Sequence, residues 1–485
     1  MADLAALADD CVRELGEDAV VTERAALRTY ECDGLTAYRC IPGLVVLPRT
    51  TAQVAFVVRR CHALGIPFVA RGAGTGLSGG ALPSTDGVLV VLSRMTAFLD
   101  LDADDQRAVV QPGVVNLDVT RRAAPHGYYY APDPSSQQVC SIGGNVAENS
   151  GGAHCLKYGF TAHHVTGLEI VLPDGTVERF GGRAPDPVGY DVVGAFIGSE
   201  GTLGIATEVT LRLTRAPEAV QTLLAGFRSM DDAGAAVSAI VAAGLTLAAV
   251  EMMDALAIEA AEAAVSCGYP AGAGAVLIVE VDGHRDEVEE QTALAETLCR
   301  DNGAFEIRTA VDDAERAQVW RGRKSAFAAV GRISPDYIVQ DGVVPRTALP
   351  QVLRDIADVA SAAGIRVANV FHAGDGNLHP LVLFDESRGE TERAEEVSGR
   401  ILDLCLEHGG SITGEHGVGI DKARYLPRMY TEDDLDTMQM LRCAFDPHGL
   451  ANPGKVFPTP RLCGEVPGRH KGPHPLQESG LAEVF

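Results

Sequence analysis

The chain has 485 residues, of which 40 are Lys or Arg and 66 are Asp or Glu, so its formal net charge is −26. This length exceeds the roughly 100–200 residues of one domain and predicts at least two domains. A charge this negative repels phosphate backbones and excludes nucleic-acid binding as a main activity. Its 53 glycines indicate backbone that approaches a ligand closely.

From Gly43, strands and helices alternate. GLVVLP predicts a buried strand, TTAQVAFVVRRCHALG an amphipathic helix with a Thr cap, and IPFVA a second strand. Shorter strands are predicted at 87–93, 108–113, 167–175 and 205–213. Residues 1–215 therefore predict an α+β domain.

Three glycine-rich loops follow or separate these strands, at 71–80, 141–152 and 198–204. The first runs into ALPSTDG and then a strand, so it lacks the helix that a Rossmann fingerprint requires. A single glycine turn need not bind anything. Three such turns in one domain suggest a site for an extended dinucleotide.

Residues 216–425 have a different pattern, in which apolar strands are separated by Ala-rich helices. This pattern predicts an open sheet covered by helices. A last helix and ANPGKVFP complete 426–458. Residues 459–485, rich in Pro, Gly and His, predict a disordered tail.

The N-terminus and the cysteines predict a protein kept in a reducing cytosol. The first residues carry acids and lack the basic flank and apolar core of a signal peptide, and no stretch is long and apolar enough to span a membrane. The 11 cysteines are scattered and include no C-x-x-C. An iron–sulfur cluster or Cys-rich zinc site within the chain is therefore not expected.

Histidines and a carboxylate recur in the second domain. His372 and His379 stand seven apart around a glycine-rich turn, and Glu415 and His416 follow within TGEHGVG. Two imidazoles and a carboxylate suit Zn²⁺ or a similar divalent ion, although H-E-x-x-H is absent. The alternative is that these are ordinary hydrogen-bonded histidines at strand ends.

Several long motifs in the same order resemble the FAD-linked oxidases of the vanillyl-alcohol oxidase and p-cresol methylhydroxylase (PCMH) fold. They are RGAGTGLSGGALP, YAPDPSS, SIGGNVAENSGGAHCLKYG, IGSEGTLGI, VFHAGDGNLHP, ITGEHGVG and FDPHGLANPGK. The C-terminal half is similar to the branch that holds D-lactate dehydrogenase, D-2-hydroxyglutarate dehydrogenase and the flavin-bearing D subunit of glycolate oxidase. The resemblance implies an α+β, two-domain flavoprotein, with a PCMH-type FAD-binding domain, a ferredoxin-like α/β substrate (cap) domain, and a C-terminal return (426–458) to the FAD domain.

The resemblance also implies an FAD site. Its first loop contains no His or Cys, so the FAD is expected to be non-covalent. The expected FAD-binding residues are Arg71, Gly72, Ala73, Gly74, Thr75, Gly76, Ser78, Gly79, Gly80, Pro132, Asp133, Ser135, Gly143, Gly144, Asn145, Ser150, Gly201, Thr202, Ile205, Asn452 and Lys455.

The resemblance assigns the metal ligands to His372, His379 and Glu415, with Zn or Mn as the expected ion. His416 is then the expected general base, because a neutral imidazole can take the substrate's hydroxyl proton. Arg323 matches the family position for the substrate carboxylate, with Arg321 and Lys324 as competitors, and Asn377 could hydrogen-bond the substrate.

The expected activity is FAD-dependent oxidation of a small D-2-hydroxy acid, glycolate first and D-lactate second, to the 2-oxo acid. Electrons would pass to an external acceptor, with an iron–sulfur partner subunit and a second flavin-fold subunit as the expected partners. The expected location is cytoplasmic, or peripheral at the inner membrane through partners. The alternatives are a catalytically silent flavin-binding scaffold subunit, a D-2-hydroxyglutarate dehydrogenase and a metal-dependent hydrolase.

Overall fold

A computed structural model describes residues 2–184 and 189–458 of the chain. The tail expected at 459–485 lies outside the described residues. Within them the protein is a mixed helix-and-sheet molecule, in which no helix is long and apolar enough to cross a membrane.

The first half contains eleven strands within the described residues. They are β1 (Val20–Val21), β2 (Leu44–Val46), β3 (Phe68–Arg71), β4 (Val88–Val91), β5 (Phe98–Asp102), β6 (Arg107–Val110), β7 (Tyr128–Tyr129), β8 (Val165–Val171), β9 (Val177–Gly181), β10 (Ile205–Arg212) and β11 (Thr214–Arg215). One sheet has the order β1-β2-β4-β3, in which β2, β4 and β3 are parallel. The second is antiparallel, with the order β5-β6-β10-β8-β9, and β7 pairs with β11.

Seven helices accompany these strands in the described part of the first half. They are α1 (Ala2–Leu15), α2 (Arg24–Leu27), α3 (Thr51–Leu64), α4 (Asn116–Ala123), α5 (Ile142–Glu148), α6 (Cys155–Tyr158) and α7 (Val192–Phe196). The expected Thr cap is confirmed, since the Thr50 side chain accepts a hydrogen bond from the Gln53 amide at the start of α3. The first glycine loop continues from β3 without a helix, as expected.

One expectation for the glycine segments is wrong. Residues 141–152 are not simply a turn, because α5 occupies most of them. The Ser141 side chain caps this helix by accepting from the Gly144 amide. The glycines therefore start a short capped helix, where the sequence pattern predicted only a loop.

The second half is built on one large sheet. Its strands are β12 (Ala219–Phe227), β13 (Ala249–Asp254), β14 (Ala275–Gly283), β15 (Glu306–Thr309), β16 (Asp336–Val339), β17 (Gly342–Val343), β18 (Arg366–His372), β19 (Asn377–Leu378) and β20 (Pro380–Phe384). The main order is β15-β12-β14-β13-β18-β19-β17, and β20 joins β16 to the edge of β18. The pairings are antiparallel.

Helices pack on both faces of this sheet. They are α8 (Met230–Ala242), α9 (Ala255–Val265), α10 (Arg285–Asp301), α11 (Asp313–Ala329), α12 (Leu349–Ala363) and α13 (Thr391–Glu407). Two further helices come after them in the chain, α14 (Leu426–Met429) and α15 (Glu432–Phe445). Alternate residues of β14 point to opposite faces, so Leu277 and Val279 join the core beneath α8 and α12, while Val276 and Ile278 join the core beneath α9 and α11. A strand buried on both sides explains the unbroken apolar run at 275–279.

Candidate active site

A cleft of about 960 Å³ separates the glycine segments of the first half from α11, β16 and the 415–416 turn of the second half. Its first wall is mostly backbone, supplied by the three glycine segments. Its second wall includes the side chains of Lys324, Phe327, Glu415 and His416. The cleft therefore lies where the two halves face each other.

Thirteen of the expected FAD residues line this cleft. They are Gly72, Ala73, Gly74, Thr75, Gly76, Gly80, Ser135, Gly143, Gly144, Asn145, Ser150, Gly201 and Ile205. The other eight do not line it, namely Arg71, Ser78, Gly79, Pro132, Asp133, Thr202, Asn452 and Lys455.

Two of these eight residues support the loops that form the wall. Arg71 is buried and donates to the carbonyls of Tyr30, Cys32 and Ala81, which fixes the first glycine loop from inside. Asn452 Nδ2 donates to the carbonyl oxygens of Gly80 (2.8 Å) and Glu200 (2.5 Å), thereby joining the first and third glycine loops.

The glycine wall fits a dinucleotide because two of its glycines are packed too closely to carry a side chain. A Cβ on Gly72 would collide with Ser141 Oγ, and one on Gly143 would lie 2.6 Å from Pro112 Cβ. The backbone at these two positions therefore packs closely against its neighbours and leaves the cleft open beside it. Backbone that is bare of side chains lets a large anionic cofactor approach closely.

Across the cleft, strand register creates a buried cluster of charged groups. Glu251 of β13 and His372 of β18 are cross-strand partners on one face of the sheet. His372 Nδ1 lies 2.7 Å from Glu251 Oε1, and an Arg323 nitrogen lies 2.7 Å from Glu251 Oε2. Because Glu251 accepts a hydrogen bond from Nδ1–H, Nε2 is the His372 nitrogen that faces Glu415 and that could hold a metal in place of a proton.

His372, His379 and Glu415 converge as the sequence predicted. Glu415 Oε1 lies 3.4 Å from His372 Nε2 and 3.2 Å from His379 Nε2. One donor atom from each of the three residues lies within 4.8 Å of the other two. His379 and Glu415 Oε2 have no hydrogen-bond partner among the described residues, so the donor set and its unused lone pairs fit a divalent ion.

His416 lies beside this set, and its ring stacks on His379 at a centroid distance of 4.9 Å. Its Nε2 is 3.8 Å from Glu415 Oε1. Burial lowers the pKa of His416 to about 4, against the opposing charge of Asp341. The imidazole is therefore neutral at neutral pH and can accept a proton.

Asp341 anchors the turn that carries Glu415 and His416. It is fully buried, and its carboxylate accepts hydrogen bonds from the Thr413 hydroxyl and from the amides of Gly414, Glu415 and His416. Burial would raise the pKa of Asp341, but Lys422, His416 and His379 hold it below its ordinary value. An ionised Asp341 therefore fixes the position of the turn.

Neighbouring charges also shift the pKa values of His372 and Glu415. Burial alone would lower the pKa of His372, yet Glu251 and Glu415 hold it well above its usual range. Burial alone would raise the pKa of Glu415, yet His372 and His379 hold it well below. The cluster thus favours positive charge beside Glu415, which either protons or a metal cation would supply.

One face of α11 packs against the face of the sheet that carries Glu251 and His372. Arg316 and Trp320 contact Glu280, Arg323 contacts Glu251, and the Phe327 ring lies 5.7 Å from the His379 ring. Arg323 is buried within the cluster and is not on the cleft wall, whereas its neighbour Lys324 lines the cleft. Asn377 is also buried, packed beneath Gly414 rather than lining the cleft.

His154 joins the two halves. Its Nδ1 lies 2.9 Å from Asp133 Oδ2 of the first half, and its Nε2 lies 3.0 Å from Glu280 Oε1 of the second. Burial opposes protonation, but Asp133 and Glu280 raise the pKa of His154 to about 10. Lys157 and Tyr158 add bonds to Asp282. We call this set the His154 joint.

Sequence reasoning missed Glu251, Asp341 and the His154 joint. A signal was present for the first two, because each is a carboxylate within or next to an apolar strand, in LAAVEMM and DYIVQDGVV. A charge in a buried strand requires a partner, and that partner marks a site. His154 gave no comparable signal, since its partners lie more than a hundred residues away or in another loop.

The chain is similar to proteins of known class along nearly its whole length. The family model described as "FAD binding domain" matches residues 42–181, and that described as "FAD linked oxidases, C-terminal domain" matches residues 216–456. The glycolate oxidase subunit GlcD of Escherichia coli K12 is 51% identical over 91% of this chain and 89% of its own. The glycolate oxidase subunit GlcD of Bacillus subtilis is 40% identical over 88% of this chain and 92% of its own. A probable mitochondrial D-lactate dehydrogenase of Danio rerio is 31% identical over 92% of this chain and 90% of its own.

Solved structures show the same fold. A 4-ethylphenol oxidase from Gulosibacter chungangensis superposes with a TM-score of 0.79 at 19% identity, covering 95% of this chain and 98% of that one. For p-cresol methylhydroxylase the TM-score is 0.78 at 17% identity, covering 94% and 97%.

The chain belongs to the FAD-linked oxidases. The expected PCMH-type fold is confirmed, and so is the expected class of activity, an FAD-linked hydroxy-acid oxidase or dehydrogenase.

Proposed function

We propose that this FAD-linked oxidase converts a small D-2-hydroxy acid to the 2-oxo acid, with glycolate as first substrate and D-lactate as second. The observation that carries the proposal is the neutral His416 imidazole on the cleft wall, beside three side chains suited to a metal. The printed names of the relatives, a glycolate oxidase subunit and a D-lactate dehydrogenase, support the choice of substrates.

Oxidising a 2-hydroxy acid removes a hydride from Cα and a proton from the hydroxyl. When bound, FAD supplies the hydride acceptor, and a divalent ion such as Zn²⁺ or Mn²⁺ lowers the pKa of a hydroxyl group that it binds. His372, His379 and Glu415 would hold that ion, with Glu251 fixing the His372 tautomer. His416 Nε2 takes the hydroxyl proton, because its buried ring is neutral before the reaction.

Arg323 would bind the substrate carboxylate. Its Nε is buried without a hydrogen-bond partner among the described residues, while its Nη2 is ion-paired with Glu251 Oε2 at 2.7 Å. Lys324 is the competing cation, because it lines the cleft and its amino group lies 4.0 Å from Asp133. Asn377 would hydrogen-bond the substrate once the cluster is occupied.

In this proposal residues 1–215 and 426–458 bind non-covalent FAD, and residues 216–425 form the substrate domain. Electrons leave through an external acceptor, with an iron–sulfur subunit and a second flavin-fold subunit as candidate partners. The relatives' description as a subunit supports such a complex. The proposed location is cytoplasmic, with any membrane association made through those partners.

A substrate panel under anaerobic conditions tests this function. Glycolate and D-lactate should bleach the flavin absorbance of the holoenzyme, while L-lactate, the matched control, should not. Faster bleaching by D-2-hydroxyglutarate would move the substrate assignment to that acid. A flavoprotein that none of these acids bleaches would instead be a catalytically silent subunit.

The non-covalent attachment is tested on the same preparation. Acid or heat denaturation should release FAD into the supernatant, because the first glycine loop, 72–76, has no His or Cys to hold it. A precipitate that keeps its yellow colour would contradict this attachment.

A further inference from the structure

Glu148 and Glu200 form a pair of carboxyl groups on the wall of the FAD cleft. Glu148 is the last residue of α5, and Glu200 lies in the third glycine loop. A Cβ on Gly417 would collide with Glu148 Oε2 and lie 2.9 Å from Glu200 Oε1. The two carboxyl groups are therefore neighbours beneath the turn that follows His416.

The two groups have unequal surroundings. Glu200 accepts hydrogen bonds from the amides of Val418 and Gly419, both at 2.7 Å, and such bonds favour the ionised form. Glu148 Oε2 is buried and has no hydrogen-bond partner among the described residues. A carboxylate oxygen that is buried without a donor is costly to ionise, so Glu148 is the member of the pair that keeps a proton.

The nearby charges agree with this division. Burial, followed by the charges of Glu200 and Asp33, raises the pKa of Glu148 well above its ordinary value, and Lys422 opposes them. The opposition is limited because the Lys422 amino group lies 3.3 Å from Asp341, whose charge it balances.

More groups counteract the rise in the pKa of Glu200 than in that of Glu148. Burial raises the pKa of Glu200, but the amides of Val418 and Gly419 and the charges of Lys422 and Lys455 all oppose that rise. One proton on the pair is therefore expected to reside on Glu148.

Glu148 also faces the first glycine loop. Its Oε1 lies 2.6 Å from the position of a Cβ on Gly80 and 3.9 Å from that of one on Gly76, two residues of the loop expected to hold the FAD pyrophosphate. A carboxylate there would repel a phosphate, whereas a carboxylic acid can donate a hydrogen bond to an acceptor on the cofactor.

We propose that Glu148 is an FAD-binding residue whose carboxyl group donates a hydrogen bond to the cofactor. The proposal rests on FAD binding alone and not on the identity of the substrate. It assigns α5 a second role, since its glycines line the cleft and its last residue supplies a donor.

The test is FAD affinity, measured by quenching of flavin fluorescence when apoprotein is titrated with FAD. At pH 7 Glu148→Gln, which keeps a donor without charge, should bind FAD within about twofold of the wild type. Glu148→Leu, which has no donor, should bind about three- to tenfold more weakly. Glu395→Gln, which removes an exposed carboxylate at the cleft rim, should leave the affinity unchanged.

A pH series keeps the proposal falsifiable if Glu148→Leu folds poorly. In the wild type the FAD affinity should fall as pH rises and Glu148 ionises, by no more than about tenfold per pH unit for a single proton. Glu148→Gln should remove that fall. If it keeps the wild-type slope, the titrating group is Lys455, whose pKa burial lowers to about 8, and the proposal is wrong. Unchanged affinity in a folded Glu148→Leu protein would also overturn it.

Discussion

The two walls of the cleft are built by different means. The glycine wall of the first half is mostly backbone, and it is supported by Arg71 and Asn452. The opposite wall is a cluster of charged side chains fixed by strand register, such as the Glu251–His372 pair. A backbone wall can hold a large ligand without committing charge, whereas a side-chain cluster concentrates charge where a reaction needs it.

This difference predicts that the two walls can be disabled separately. Substitutions in the charged cluster should stop the chemistry and leave the yellow colour, because the proposed FAD site is on the other wall.

Loss of the metal set should have the largest effect. The double substitution of His372 and His379 by Ala should abolish flavin reduction by glycolate while FAD stays bound, because two of the three proposed metal ligands are gone. Stopped-flow absorbance and elemental analysis measure both outcomes. A chelated wild type should lose activity and regain it with Zn²⁺ or Mn²⁺, whereas the variant should not recover. A metal-free wild type that reduces its flavin at the untreated rate would disprove the metal mechanism.

His416→Ala should slow flavin reduction by about 10²–10⁴-fold, the usual contribution of a general base. FAD content and metal content should both remain, since His416 is beside the ligand set and outside it. Asn or Gln at the same position should be equally slow, because neither can accept the proton. If the Ala variant loses its metal, His416 is a ligand, as its place in the alternative group with Asp341 and His379 would allow.

Glu251→Gln should weaken metal binding by about 10–100-fold, the usual cost of removing the partner of a metal-bound histidine. The change keeps the shape of the side chain but removes the charge that orients His372 and balances Arg323. Competition with a chromogenic chelator measures the affinity. Glu259→Gln, an exposed change on α9, is the matched control. Equal metal affinity in both variants would remove Glu251 from the site.

The smallest effect concerns the His154 joint, which connects the two walls. The raised pKa of His154 means that its charge stabilises the fold fully below about pH 6.5, and that this contribution is lost as pH rises towards about 10. His154→Gln should therefore lower the melting temperature by a few degrees at pH 6 and by progressively less at pH 8 and 9. A constant difference across this range would show that the joint acts through packing and not through charge.

The first wall was largely predictable from sequence because its signal is local. Gly72 to Gly80 follow a strand within ten residues, and the family motifs around them are continuous. What failed was the local structure at 141–152, where a serine cap turned a glycine run into α5. A cap depends on one side chain and is easily hidden by neighbouring glycines.

The second wall was predictable in part. The sequence motifs predicted that four side chains lie close together, and the structure places them in contact. They are His372, His379, Glu415 and His416. The motifs gave no means to find Glu251 as the partner of His372, since their pairing depends on the register of strands 121 residues apart. For Arg323 the motif indicated the position but not its burial against Glu251. Sequence motifs do not show the register between strands that are far apart in the chain.

Synthesis of the chain imposes an order on the assembly of the cofactor site. Phe68 of β3 pairs with Ala451, Asn452 bonds Gly80 across 372 residues, and Lys455 bonds Leu82 across 373. A ribosome adds roughly 5–20 residues per second, so the first glycine loop waits tens of seconds for the segment that braces it. A part of the polypeptide that emerges early is thus among the last to be completed, and throughout this interval the first glycine loop of the nascent chain lacks the contacts that brace it.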